Sequence, residues 1–377
     1  MGNHRINLSA ITLGQPLPWD VMDSAGKLLL RKGHIIEKLS QAEALVERGM
    51  YIESGHAEMH GASTPAKTEA PSVIRTINRV VKRLDMVLRE IKTLPDPREK
   101  ILEIVKMIQF AVGLNPDIAL ASLLLNYSAG PYPVRHCVDA AILSTLVAQA
   151  MNKPADEIQD LTAAALTMNI SMLSLQNRLL RKKDPLSDDE KDQIHRHPYL
   201  AVEMLNDVGI EDPGWLTCIL RHHENEDGTG YPAGAVKMEI PQISKILALA
   251  DGFCARIAPR DYRKAILPNL ALRDIFIENG SRADPALAAY FIKVLGLYQP
   301  GTFVRLKNTE IAIISQRGSG PTACIAYSLV NASGEGTTTP IRRDTSVEPF
   351  TIVEALHPSN LLVNFDMKRV WGEQASL

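Results

Sequence analysis

Two adjacent histidines, His222 and His223, open the run HHENEDGTGYP that ends at Pro232. Imidazoles are strong ligands for divalent transition metals. The run continues through Glu224 and Asp227 into a turn holding Gly228 and Gly230, then Tyr231. Glycines just past ligand-type residues let backbone turn sharply and approach a bound group closely. Residues of the same chemistry lie elsewhere: His136 in PYPVRHCVDAAILSTLVAQAM, His197 before Pro198 in DQIHRHPYLAVEML, and Asp251 in ISKILALADGFCARIAPRDYRKA. Singly, each has a plainer reading. An adjacent histidine pair can be two polar residues near a helix end, and a lone buried histidine is usually satisfied by a hydrogen bond. The run as a whole is harder to explain that way.

That run resembles the HHExxDGxGYP signature of the HD-GYP family, a branch of the HD-domain metal phosphohydrolases. The resemblance implies a helical bundle whose helices bring metal ligands together. His136 resembles the first metal-binding histidine of the family, His197-Pro198 its third ligand segment at a helix start, and Asp251 its closing aspartate. The family's His-Asp pair normally sits in a context like AALLHDIGK. Here the matching run is Ala164-Ala165-Leu166-Thr167-Met168-Asn169-Ile170-Ser171-Met172. Met168 replaces the histidine, Asn169 the aspartate and Met172 the lysine.

In the family the aspartate bridges two ions. Carried over by position, one ion keeps only His136 and Asp251, and a thioether is a poor ligand for hard cations. The other keeps His197, His222 and His223, with the neutral amide of Asn169 in place of the bridge. Three imidazoles with an open position suit one divalent transition metal, iron, manganese or zinc. A two-metal cluster is not expected. Diester cleavage in such sites depends on metals that activate water and stabilise charge, so losing the bridge and the lysine weakens the case for catalysis. Met168 and Met172, four residues apart, are predicted to share one helical face and to fill the vacated space.

Phosphate binding depends on other residues. The resemblance places Arg260 and Arg263 where family members hold substrate phosphates, and arginine forks suit that contact. A solvated charge run at a helix start is the alternative. Gly228, Gly230 and Tyr231 would frame a nucleotide entrance, while Glu224 and Asp227 can equally be turn carboxylates. The implied function is a divergent HD-GYP-type protein of bacterial cyclic-dinucleotide signalling, binding a cyclic dinucleotide or a signalling protein with weak or no hydrolysis. Two alternatives stand: an active metal-dependent cyclic di-GMP phosphodiesterase, and a non-enzymatic interaction scaffold.

The elements that must position these residues follow from pattern. The 377 residues leave room for two or three domains, with 45% hydrophobic and 22% charged residues as in ordinary globular chains. A net charge of -2 gives no electrostatic footprint for DNA or RNA. No apolar run reaches membrane-spanning length and the start MGNHRINLSA lacks an apolar signal core, so a cytoplasmic location is expected. Cys137, Cys218, Cys254 and Cys324 are scattered and read as small apolar fillers.

Residues 1–54 mix strand-like runs with a short helix over Ser40–Gly49, an α+β module; residues 55–72 are small, polar and linker-like. Residues 73–298 read as nearly all helix, the HD-type bundle. Asp96 is the predicted N-cap before Pro97, and Ser187-x-x-Glu190 a capping box. Residues 299–377 alternate apolar and polar residues around Gly and Asn turns, a small β-rich domain whose surface could bind a partner, cap the bundle or assist a homodimer. The fold class is mainly α.

Overall fold

The computed structural model describes residues 70–377 except 127–128, 260–264, 279–283, 319, 321, 359–360 and 362–365. Of residues 1–69 it describes 3–5, 15–17, 20–23, 27–36, 41 and 51–53. The chain divides into two compact units, Met1–Glu69 and Ala70–Leu377. The first holds a four-stranded antiparallel sheet of β1 (Asn3–Arg5), β2 (Val21–Met22), β3 (Leu28–Leu30) and β4 (Tyr51–Glu53), in the order β1-β4-β2-β3. Apart from Gln41, the helix expected over Ser40–Gly49 lies outside the described residues, as does most of the expected linker.

The second unit begins with helices. In α1 (Val73–Glu90) the buried positions Ile74, Ile77, Val81, Leu84 and Leu88 recur every three or four residues, one face of a helix turned to the core. Helices α2 (Pro97–Leu114) and α3 (Pro116–Leu125) follow. Asp96 stands at the N-cap of α2, but at φ 49° in the left-handed region, and its side chain makes no capping hydrogen bond. Its role is therefore to turn the chain, not to cap it. At α3 the cap is made by Asn115, which accepts from the backbone N–H of Asp117 and Ile118.

The centre of the bundle is α4 (Tyr132–Ala150), which carries mostly small and apolar residues and is buried along nearly its whole length. It packs against α5 (Ala155–Thr167) and α9 (Gln242–Ile257). Between these lie α6 (Leu173–Arg181), α7 (Asp188–Asn206) and α8 (Pro213–Arg221). The Ser187–Glu190 capping box is present at the start of α7. Helices α10 (Pro268–Glu278) and α11 (Pro285–Leu295) complete the bundle. Among the described residues no single helix is long and apolar enough to cross a membrane; α2 and α3 pass that test only as a pair, bent by 109°.

The chain closes on a five-stranded antiparallel sheet of β5 (Phe303–Leu306), β6 (Ile311–Arg317), β7 (Cys324–Val330), β8 (Gly336–Asp344) and β9 (Ile352–Leu356), ordered β8-β7-β6-β5-β9, then α12 (Met367–Trp371). Arg317 anchors this sheet to the bundle by its ion pair with Asp117 and a hydrogen bond to the Val294 carbonyl. The whole chain is mainly α, as the pattern predicts.

Candidate metal centre and adjoining cavity

Pro198 explains how His197 is aimed. Proline has no backbone N–H, so inside α7 it leaves the carbonyl four residues back, that of Ile194, without its helical partner. His197 Nδ1 lies 2.5 Å from that carbonyl oxygen. The sequence places this His-Pro step at a helix start; it sits instead in the middle of α7, where the freed carbonyl becomes the tether. A helix end does the same for His222. Residue 222 follows the last residue of α8, where the final carbonyls lack intrahelical donors, and its Nδ1 lies 2.5 Å from the Ile219 oxygen.

These tethers fix the tautomers. A carbonyl only accepts, so each Nδ1 carries the proton and each Nε2 keeps its lone pair. The two Nε2 atoms face each other at 3.3 Å. Burial, joined by repulsion from His222, pushes the His197 imidazole down to about 3, and burial likewise lowers His222 and His223. Protonation therefore does not relieve the facing lone pairs at neutral pH. A metal cation does. His223 joins them, and one ligand atom from each of His197, His222 and His223 lies within 4.8 Å of the others. For metal–nitrogen bonds of about 2.0–2.1 Å, neighbouring ligand atoms are separated by roughly 3.0–3.4 Å, the spacing His197 and His222 show. The donor set fits one divalent transition metal.

The other two residues expected as ligands, His136 and Asp251, meet each other, Nε2 to Oδ1, at 2.7 Å. Burial alone would raise the Asp251 carboxyl, but the His136 hydrogen bond and the neighbouring imidazoles outweigh it and hold Asp251 well below the usual carboxylate range. Asn169 is 1% exposed and its Oδ1 has no hydrogen-bond partner among the described residues. An unpaired buried acceptor costs about 1–3 kcal/mol, which a bound ion or water would recover. Asn169, His136, His223 and Asp251 line one cavity of about 520 Å³.

Met168 and Met172 do not share a helical face. Helix α5 stops at Thr167, a 3-10 turn spans Ile170–Met172, and Ser171 Oγ donates to the His197 carbonyl. Met168 is buried in the hydrophobic core while Met172 lines the cavity. Arg260 and Arg263 lie outside the described residues.

The glycine loop packs on the histidines. A Cβ on Gly230 would stand 2.3 Å from the Asn225 nitrogen and 2.5 Å from Glu224 Cα, so only glycine fits. Gly228 is needed for its φ of +76°. Tyr231 stacks on His223 with ring centroids 4.7 Å apart, and His195 packs on Tyr231 at 4.5 Å. Sequence reading misses His195, because an exposed histidine on a helix carries no signal until the loop folds over it.

Glu224, left open as a turn carboxylate, holds the loop. Its carboxylate accepts from the backbone N–H of Ala233 at 2.8 Å and of Ala235 at 2.9 Å, with no side-chain exposure. Glu224→Ala strands those two donors and is expected to cost about 2–4 kcal/mol in chemical denaturation. A variant as stable as the wild type would show that the loop is held by something else.

The four cysteines are buried, and burial raises their thiols, so they stay protonated and apolar as expected.

Residues 121–287 match the HD domain family. A cyclic di-GMP phosphodiesterase of Pseudomonas aeruginosa is 28% identical over 215 residues, covering 57% of this chain and 51% of that protein. The cyclic di-GMP phosphodiesterase response regulator RpfG of Xanthomonas campestris is 33% identical over 144 residues, 37% of each chain. A 3'3'-cGAMP-specific phosphodiesterase of Vibrio cholerae is 32% identical over 186 residues, covering 48% of this chain and 39% of that one. The chain thus spans about half the length, or less, of these curated relatives. HD-domain phosphohydrolases are metal-dependent, and the histidine cluster lies inside the matched segment. Residues 121–287 are an HD domain, similar over this segment to HD-GYP-type cyclic di-GMP phosphodiesterases, and Met168-Asn169 stand in the run that resembles the family's His-Asp segment.

Proposed function

We infer that the chain works in cyclic-dinucleotide signalling by binding one divalent transition metal and a cyclic dinucleotide, with weak or no hydrolysis. The observation that supports it most is the facing Nε2 pair of His197 and His222 beside His223, a donor set that neutral imidazoles alone leave unsatisfied. His197, His222 and His223 would hold the ion, with the Asn169 amide as the neighbouring oxygen donor. Bound there, the ion supplies a Lewis acid that neutralises phosphate charge.

The chain's own residues account for the weak chemistry. Asn169 offers a neutral amide where a carboxylate would take a proton from water, and an amide is a far weaker base. Asp251 keeps its charge but spends it on His136. Met172 brings no cation to the cavity wall. Tyr231, stacked between His223 and His195, shields one side of the histidines and gives a flat face at the entrance. Ligand binding needs only the cavity and the charge; cleavage needs the missing base as well.

Metal analysis of freshly purified protein beside cyclic di-GMP binding and hydrolysis assays tests this. About one transition-metal equivalent per chain, measurable binding and little turnover are expected. Two equivalents with rapid hydrolysis, or no metal at all, would overturn it.

A further inference from the structure

The cavity beside the histidines extends far beyond them, along α6. Met172, Gln176, Leu179, Leu180 and Lys183 all line it. Gln176, Leu179 and Leu180, three and one residues apart, lie on one side of α6; Met172 precedes the helix and Lys183 follows its end, and both line the same cavity. Nine residues of α6 at about 1.5 Å each make a wall roughly 13 Å long. Gln176 is followed by the apolar pair Leu179 and Leu180, and past the helix end Lys182, Lys183 and Asp184 line the cavity. Lys182 is held by Glu190 at 2.5 Å, whereas Lys183 takes part in no ion pair among the described residues. Gln176 Oε1 is buried on the same stripe with no hydrogen-bond partner among the described residues.

We propose that this α6 stripe seats the half of a cyclic dinucleotide remote from the histidines, with a nucleobase on Leu179 and Leu180 and the second phosphate paired to Lys183. The assignment rests on the function inferred above and adds where the ligand lies. A cyclic dinucleotide carries two phosphates and two flat bases. With one phosphate at the histidine cluster, the rest of the ring reaches outward, and of the two cavities that touch the histidines the larger, about 520 Å³, is the one walled by α6. Leucine side chains complement base faces, a polar amide in mid-wall can meet a base edge, and an ammonium at the far end meets the second phosphate. Met172 brings no cation to the cavity, and Lys183, just past the end of α6, supplies one to the same cavity.

Equilibrium binding of cyclic di-GMP and of GMP to the metal-loaded full chain tests this, for wild type, Lys183→Glu, Lys183→Arg and Leu180→Asp. Lys183→Glu is expected to weaken cyclic di-GMP binding by about ten- to a hundredfold and to leave GMP unchanged, while Lys183→Arg keeps most of the affinity. Leu180→Asp should weaken cyclic di-GMP in the same selective way, with an unchanged melting temperature showing the fold intact. Wild-type affinity in both Lys183→Glu and Leu180→Asp overturns the stripe and leaves the histidine site standing. Equal loss of GMP and cyclic di-GMP also overturns it, because Lys183 would then serve the phosphate at the histidines. A wild type that binds metal but neither nucleotide removes this assignment together with the functional reading beneath it.

Discussion

His222→Ala is expected to strip the protein of its metal. The variant removes one of three imidazoles and leaves His197 Nε2 without the neighbour it faces at 3.3 Å. Losing groups that only orient a ligand typically costs 10–100-fold in metal affinity, so loss of a ligand itself should cost more than about a hundredfold. The protein would then come off purification with almost no bound ion. Stability separates this from simple misfolding. A ligand that binds only the folded state stabilises it by RT ln(1 + [L]/Kd), about 4 kcal/mol at a thousandfold excess over Kd. Chelator should therefore lower the wild-type melting temperature, whereas His222→Ala should melt at the same temperature with and without chelator. Full metal content in the variant would show that the three rings do not form a site.

Restoring the motif is expected to produce the largest gain. Met168→His, Asn169→Asp and Met172→Lys together put an imidazole at the buried position next to the cavity and a carboxylate and a cation on its wall. The single change Asn169→Asp would bury a charge at a position 1% exposed, which is costly without a counter-ion. With metal present that same carboxylate gains its partner, so the triple variant should be more metal-dependent in stability than the wild type. Metal content should rise from about one to about two equivalents as the 2.7 Å contact between His136 and Asp251 opens to admit an ion. Hydrolysis of cyclic di-GMP should rise on the order of a hundredfold, the scale of restoring one well-placed charge-stabilising group. Unchanged metal content and unchanged turnover would show that Met168-Asn169 does not stand at the ancestral position.

Much of this site was legible in the residues. His222, His223 and the glycine loop are contiguous, so the run by itself carries the resemblance to a known signature, and the capping box at Ser187–Glu190 obeyed a local rule and formed. Reading failed where a neighbour from elsewhere decided the outcome. The run through Met168 to Met172 has a good helical pattern, yet α5 ends at Thr167, with Ser171 Oγ bonded to the His197 carbonyl twenty-six residues away. Asp96 was expected to cap through its side chain; its backbone went left-handed to make the turn instead.

The sequence by itself determined the inventory: which imidazoles exist, that an amide stands at position 169, where proline removes a donor, and that helices dominate. These depend on residue type and on interactions within a few residues. Tertiary structure alone decided the geometry. It turned the Nε2 atoms of His197 and His222 toward each other, closed His136 on Asp251, folded Tyr231 between His223 and His195, and joined the α6 stripe to the histidines in one cavity. The physical reason is range. A lone pair aimed by a carbonyl three residues back is set locally, but what it meets is fixed only when distant helices pack and exclude water.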